Sequence, residues 1–199
     1  MRILRIIHSL DPKHGGLVSW LEASTKALIE QKHTVDVLCL DDPKAPFLQA
    51  KSYPYVALGP ALGVYAYTPR LLKWLKAHTD YDVVIVEGLW QYIGYAVYKA
   101  CTRSGIPYVV YPHGMLDPWF NKAYPLKCIK KYIYWWLCEY RVLKRAAAVV
   151  FTSHLEKTAA RRSFFPYGFK EAVLPLGVAL SQPSPDIAPA SHKRRSLQF

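Results

Sequence analysis

The sequence lacks a long hydrophobic run, a paired-cysteine motif and a signal peptide, and each absence excludes a class of protein. No window of about 18 uncharged apolar residues occurs, which excludes a membrane-spanning helix. The four cysteines include no Cys-x-x-Cys pair, so neither a zinc ribbon nor a disulfide scaffold is expected. The apolar stretch at the N-terminus is short, is interrupted by Arg5 and His8, and has no cleavage site for a signal peptidase. These features predict a protein of the reducing cytoplasm.

Acidic residues are also scarce. The 199 residues include 26 Lys and Arg against 14 Asp and Glu, a net charge of +12. The imbalance lies in residues 118–199, which hold 14 basic residues and 4 acidic ones. Any anionic partner is therefore expected to meet the second half of the chain. No nucleic-acid recognition motif is present, so nucleic acid is not an expected partner. With 52% hydrophobic residues, the chain can bury a substantial core.

Short apolar runs alternate with segments of helical periodicity, which predicts an α/β fold. Strands are expected at 3–8, 34–40, 55–58, 82–86, 108–111, 148–152 and 172–174. Helices are expected at 17–31, 69–78, 89–103, 122–145 and 154–162. Alternation of this kind requires crossover connections, so we expect a Rossmann-like, doubly wound and mostly parallel sheet over residues 1–178. Residues 179–199, rich in proline, serine and basic residues, are expected to be a disordered tail.

Ligands of such sheets bind beyond the carboxyl ends of the strands, and Gly15-Gly16 follows the first strand. Paired glycines would let the backbone approach a ligand, and the next helix offers unpaired N–H groups to a phosphate. The alternative is a tight strand-to-helix turn without a ligand. The complete Gly-x-Gly-x-x-Gly pattern is absent, which argues against a nicotinamide or flavin cofactor, and no cofactor or metal is expected.

Two other predicted strands also end in residues that could carry chemistry. His113 and Gly114 follow the strand at 108–111, where an imidazole could exchange hydrogen bonds with a ligand. The alternative is a structural turn. Glu87 follows the strand at 82–86 and could face a cleft, or it could lie near the N-terminus of the next helix as a cap.

Residues 122–145 form the most strongly basic amphipathic segment. One side is predicted to be apolar, with Ile129, Tyr132, Ile133, Trp136, Tyr140 and Leu143. The opposite side is basic, and Lys127, Lys130 and Lys131 are candidates for contact with an anionic membrane. The alternative is a helix that packs its apolar side on the core and leaves the basic side in solvent.

Taken in order, four segments resemble the N-terminal, acceptor-side domain of glycosyltransferase family 4. They are the opening strand, Gly-Gly loop and helix at 2–40, PHGMLDPW at 112–119, the helix–strand–Ser–acid stretch at 139–156, and VLPLGV at 173–178. PHGMLDPW is the most specific of the four. One departure is Lys32, where the family usually has a glycine before the second strand.

The resemblance implies half of a GT-B enzyme that moves a sugar from a nucleotide-sugar to a glycan or lipid-linked acceptor with retention of configuration and without a metal. It implies that Gly15 and Gly16 lie near the diphosphate and the acceptor, and that His113 is the catalytic residue beside the transferred sugar. Glu87, Gly114 and Ser153 are the further candidates for donor or acceptor binding. Because the family's C-terminal donor domain has no counterpart in the sequence, we expect a truncated enzyme or one half of a split enzyme.

Two other functions remain open from the sequence. The chain could be a non-enzymatic basic domain that binds a membrane or a partner through residues 122–145, or an inert truncated product. The retained Gly-Gly and His113 loops favour a glycosyltransferase. We expect it to be located in the cytoplasm and to be peripheral on the inner face of the membrane.

Overall fold

The computed structural model describes residues 1–119 and 125–175, and these contain one parallel sheet of seven strands. The strands are β1 (Arg2–Ile7), β2 (Thr34–Cys39), β3 (Tyr55–Ala57), β4 (Val83–Glu87), β5 (Tyr108–Tyr111), β6 (Ala148–Phe151) and β7 (Glu171–Val173). Their order is β3-β2-β1-β4-β5-β6-β7, and each neighbouring pair is parallel. The strand order therefore reverses between β1 and β4, which is the switch point where Rossmann-like sheets bind ligands.

Helices connect the strands. They are α1 (Gly16–Glu30), α2 (Pro69–Ala77), α3 (Tyr92–Ser104), α4 (Pro125–Tyr134), α5 (Tyr140–Arg145) and α6 (His154–Ala160). A π-helical segment, Trp135–Glu139, joins α4 directly to α5. The predicted Rossmann-like α/β fold is confirmed. The predicted boundary at residue 178 and the tail at 179–199 lie outside the described residues.

The side chains of β1 show that both faces of the sheet are covered. Leu4 and Ile6 lie in one buried cluster together with Val142 of α5 and with residues of α2 and α3. Ile7 lies in a second cluster with Leu21 of α1. Because successive side chains of a strand point to opposite faces, α1 covers one face while α2, α3 and α5 cover the other.

Lys32, at the position where the family usually has glycine, takes the left-handed conformation with φ of 64°. It follows the end of α1, and its N–H donates to the Ile29 carbonyl at 2.9 Å. Lysine therefore adopts the helix-terminating geometry that glycine adopts without steric cost.

The alternative interpretation of the 122–145 helix, in which its apolar side packs on the core, holds for Leu143 but not for most of that side. Ile129, Ile133 and Trp136 are 57–59% exposed, whereas Trp135 and Val142 are fully buried. The prediction assumed a constant 100° per residue, but the π-helical segment adds a residue to one turn and changes the phase of the helix. An apolar row is consequently left in solvent.

Glu139 lies in the π-helical segment and is 1% exposed. One carboxyl oxygen, Oε2, has no hydrogen-bond partner among the described residues, and Oε1 accepts a long hydrogen bond of 3.4 Å from the Trp90 N–H. Burial raises the pKa of Glu139 to about 8. The folded protein therefore retains this proton at pH values where the unfolded chain has lost it.

Glu139→Gln is expected to remove a pH dependence of stability. In the parent protein the Glu139 contribution falls as pH rises from about 4.5 to about 8, because the folded state binds the proton more tightly. Between pH 5 and pH 9, the free energy of unfolding of the variant should therefore rise by roughly 2–4 kcal/mol relative to that of the parent. Urea unfolding at both pH values measures the difference. An equal difference at the two pH values would contradict the burial argument.

Candidate functional site

The loops after β1, β5 and β6 meet at the carboxyl edge of the sheet and enclose an open cleft of about 610 Å³. Its wall includes Gly16, Trp20, His113, Gly114, Thr152 and Glu156. Two segments that the sequence selected independently, the Gly-Gly loop and the His113 loop, thus line the same cleft.

Local hydrogen bonds shape the Gly-Gly loop. The Asp11 carboxylate accepts a hydrogen bond of 2.9 Å from the Lys13 N–H, which closes a short 3₁₀ turn before α1. Gly15 then takes φ of 58° and precedes the first residue of α1. No atom lies within 4 Å of the position that a Cβ would occupy on Gly15 or Gly16. The backbone at the start of α1 is therefore open to a ligand, and the first N–H groups of a helix have no partner within the helix itself. The Gly15 N–H donates to the Pro12 carbonyl at 2.9 Å and is not one of them.

His113 occupies a strained backbone position at the end of β5, with φ of 50°. Its side chain is 10% exposed, and its Nε2 lies 2.7 Å from Oε2 of Glu87. The ring also packs against Trp20, with 5.1 Å between ring centroids, and against Tyr111, with 5.8 Å. These contacts fix the plane of an imidazole that borders the cleft.

Glu87 is the last residue of β4 and is fully buried, so its expected position facing the cleft is wrong. It is also not the cap of α3, whose N-cap residue is Gln91. Its carboxylate instead accepts hydrogen bonds from Arg5, at 3.1 Å from Nε and 2.5 Å from Nη2. Burial by itself would raise the pKa of Glu87, but the Arg5 charge and the His113 hydrogen bond outweigh it and lower the pKa.

The Glu156 carboxylate lines the cleft and connects two of its loops. Its Oε1 accepts a hydrogen bond of 2.7 Å from the Gly114 N–H, and its Oε2 accepts one of 2.7 Å from the Thr152 N–H. Ser153, a predicted binding residue, is instead the N-cap of α6, where its Oγ accepts from the Glu156 N–H at 3.0 Å. Glu156 thus ties the His113 loop to the end of β6.

The sequence did not single out as site residues three residues that line the cleft, Trp20, Thr152 and Glu156, or Arg5, which is buried behind it. The spacing Ser153-x-x-Glu156 is a capping-box signature that could have drawn attention to Glu156, although its carboxylate reaches Gly114 rather than its own helix. Arg5 could have been noticed as a lone charge within a buried strand, since such charges require a partner.

The lysines proposed as membrane contacts are in different environments. Lys130 is exposed, whereas Lys131 is half-buried with its Nζ 4.8 Å from the centre of the Trp90 ring. The side chain of Lys127 lies outside the described residues. Within residues 1–119 and 125–175, no three His, Cys, Asp or Glu side chains are grouped to hold a metal ion. No helix in those ranges is long and apolar enough to cross a membrane.

The family model of Glycosyltransferase Family 4 matches residues 14–182. The chain belongs to this family. The match spans the Gly-Gly helix, the His113 loop and the Glu156 loop, which are the segments that meet at the cleft. No curated protein matches the chain.

Solved structures show the same fold at low sequence identity. Alr3699/HepE of Anabaena, in complex with UDP and glucose, has a TM-score of 0.62 and 18% identity over 89% of this chain and 45% of its own. MurG of Acinetobacter baumannii has a TM-score of 0.51 and 15% identity over 90% and 46%. An alpha-glucosyltransferase in complex with UDP and a 13-mer DNA has a TM-score of 0.53 and 16% identity over 89% and 43%.

The family 4 chain thus spans less than half the length of these structures and corresponds to one Rossmann-like half of a GT-B fold. The predicted family resemblance is confirmed by the family match, and at these identities the structures support the fold alone.

Proposed function

We propose that this chain is the acceptor-side half of a retaining glycosyltransferase that uses a nucleotide-sugar donor and a glycan or lipid-linked acceptor. The observation that carries the proposal is the cleft itself. In a chain of family 4, Gly16, His113 and Gly114 line one open cleft at the carboxyl edge of the sheet. The donor is supported by the UDP and glucose bound to the Anabaena relative.

The chemistry of the cleft suits sugar transfer. When the bond between sugar and diphosphate breaks, negative charge develops on the leaving diphosphate. The N–H groups of the first turn of α1, which begins at Gly16, and the positive end of α1 would stabilise that charge without reorganising. His113 would orient the sugar through its imidazole rather than attack it, and the Gly114 backbone would complete that wall.

The acceptor would lie against the apolar part of the same cleft. Leu17, Trp20 and Leu155 all line it, and Leu155 is 83% exposed. An indole ring and two aliphatic side chains beside the His113 imidazole form a surface suited to the flat apolar face of a sugar ring.

Calorimetric titration with a panel of nucleotide-sugars tests the assignment to the acceptor side. An acceptor-side half provides few of the contacts to the nucleotide, so dissociation constants weaker than roughly 1 mM are expected, at most about 4 kcal/mol of binding free energy. No sugar transfer by this chain alone is expected. Micromolar binding of any nucleotide-sugar would contradict the assignment.

We also propose that the domain attaches peripherally to an anionic membrane on the cytoplasmic side, in support of a lipid-linked acceptor. The observation that favours this is the apolar row left in solvent by the 125–145 helix: Ile129, Ile133, Trp136 and Leu137, exposed by 57–67%. Large apolar side chains that are exposed close together on one helix are typical of a surface that binds a membrane or another protein.

A second exposed apolar group lies in a loop that contacts the same helix. Leu62 and Val64 are 67% and 97% exposed, and both lie in the loop before α2. The Tyr65 hydroxyl of that loop lies 2.9 Å from the Tyr134 hydroxyl at the end of α4, so the loop and the helix are in contact. We call the apolar row and these loop residues together the apolar patch.

Basic residues occur on the same helical stretch as the apolar row. Lys130, Arg141 and Lys144 are exposed on the same helical stretch. An apolar stripe with flanking cations is the pattern of a helix that lies in the interface of an anionic bilayer, with apolar side chains among the acyl chains and cations at the headgroups.

A further inference from the structure

A buried chain of polar contacts leads from the inside of the fold to the cleft. Arg5, in the middle of β1, is 1% exposed. Its Nη1 donates to three oxygens of α1: the Leu21 carbonyl at 3.2 Å, Ser24 Oγ at 2.6 Å and Thr25 Oγ1 at 3.1 Å. Its Nε and Nη2 donate to Oε1 of Glu87. Arg5 therefore ties α1 to β4 across the switch point of the sheet.

The second oxygen of Glu87 determines the protonation of His113. An ionised carboxylate only accepts hydrogen bonds, and the adjacent guanidinium keeps Glu87 ionised. Its Oε2 lies 2.7 Å from Nε2 of His113, so Nε2 must carry a proton. In the neutral ring Nδ1 is then left without a proton and with a free lone pair.

We propose that Glu87, held by Arg5, is a positioning residue that fixes His113 as the Nε2–H tautomer and thereby makes Nδ1 a hydrogen-bond acceptor for a sugar hydroxyl in the cleft. The role of Nδ1 rests on the proposed function, but the tautomer does not. A buried carboxylate that orients an imidazole through one nitrogen leaves the other nitrogen directed at the reactants.

Aromatic contacts also restrict the orientation of the His113 ring. Trp20 packs against His113 on one side, and its own ring lies 4.8 Å from the guanidinium carbon of Arg5. Trp20 belongs to α1, the helix that begins at Gly16. The contacts of Arg5, Glu87 and Trp20 therefore connect α1, which begins at the Gly-Gly loop, to the His113 ring.

Long-range ¹H–¹⁵N NMR of the imidazole nitrogens tests the proposal, with the His113 signals assigned by their loss in His113→Gln. In the parent chain at neutral pH, the nitrogen shifts should show His113 as the Nε2–H tautomer. In Glu87→Gln, whose neutral amide can donate as well as accept, the shifts should move towards a mixture of both tautomers. Glu156→Gln is the matched control, because Glu156 supports the same loop without touching the ring, and its His113 shifts should stay those of the parent.

Three results would overturn the proposal: an Nδ1–H tautomer in the parent chain, unchanged tautomer shifts in Glu87→Gln, or an equal loss of the tautomer in Glu156→Gln. The parent measurement can overturn the proposal even if Glu87→Gln fails to fold.

A titration with UDP-glucose separates this proposal from the proposed function. Shift changes of His113 Nδ1 in the parent that disappear in Glu87→Gln support both. An Nε2–H tautomer that does not respond to UDP-glucose overturns the role of Nδ1 towards the sugar and leaves the positioning by Glu87 standing. Equal shift changes in the parent and in Glu87→Gln overturn the positioning role and leave the sugar site standing.

Discussion

Replacing Glu87 with alanine is expected to lower the free energy of unfolding by about 3–5 kcal/mol. Arg5 is almost fully buried and would lose its only carboxylate partner among the described residues, so an uncompensated charge would remain inside the fold. The measurement is urea unfolding of Glu87→Ala beside the parent. Glu30→Ala is the matched control, because Glu30 pairs with Lys26 on an exposed surface at 4.0 Å and should contribute little.

The stability difference between the parent and Glu87→Ala is also expected to depend on pH. The pKa of Glu87 is lowered in the folded state, so its contribution to stability is present above the pKa of the unfolded chain and is lost as pH falls through the folded value. The difference between the parent and Glu87→Ala should therefore shrink in acid. If Glu87→Ala lowers the free energy of unfolding by less than about 1 kcal/mol at neutral pH, that would contradict a buried ion pair at this position.

Vesicles of anionic lipid are expected to bind the chain at low salt and to release most of it at high salt. Each basic residue near such a surface contributes roughly 1 kcal/mol, and salt screens that attraction over a Debye length of about 8 Å. Salt does not screen the apolar contribution to binding. The double variant Trp136→Ser, Leu137→Ser removes apolar area and should weaken binding by about 2–3 kcal/mol. Cosedimentation with anionic and neutral vesicles measures both effects.

The controls for this experiment follow from the burial of the residues. Ile29→Ser changes an exposed apolar side chain on α1, outside the apolar patch, and should leave vesicle binding unchanged. Lys130→Glu is the charge reversal to use, since Lys130 is exposed whereas Lys131 packs on Trp90. Equal binding to both kinds of vesicle, or binding to neither, would contradict the membrane proposal.

The sequence was sufficient to predict the sheet, because buried parallel strands are short apolar runs separated by helical periodicity. It also located the loops of the cleft, since Gly15-Gly16 and His113-Gly114 follow strands, and parallel strands end at a common edge. No further information was needed to expect both loops at the same cleft.

The pairing of Arg5 with Glu87 could not be predicted in the same way. The two residues are 82 positions apart, and their contact depends on the adjacency and register of β1 and β4. The face of the 122–145 helix was missed for another reason. The residues of a π-helical segment have no distinct periodicity in sequence, so nothing signalled the phase change at Trp135–Glu139.

A two-dimensional ¹H–¹⁵N map of the chain titrated with UDP-glucose to tens of millimolar tests the central claim, that the cleft is the sugar site of a family 4 glycosyltransferase. We expect shift changes confined to the amides of Gly16, His113, Gly114 and Thr152, and their loss when the Trp20 ring is removed in Trp20→Ala. Trp74→Ala, which changes a tryptophan on α2 remote from the cleft, should keep them. Shift changes on another surface, or none at any concentration, would contradict the claim.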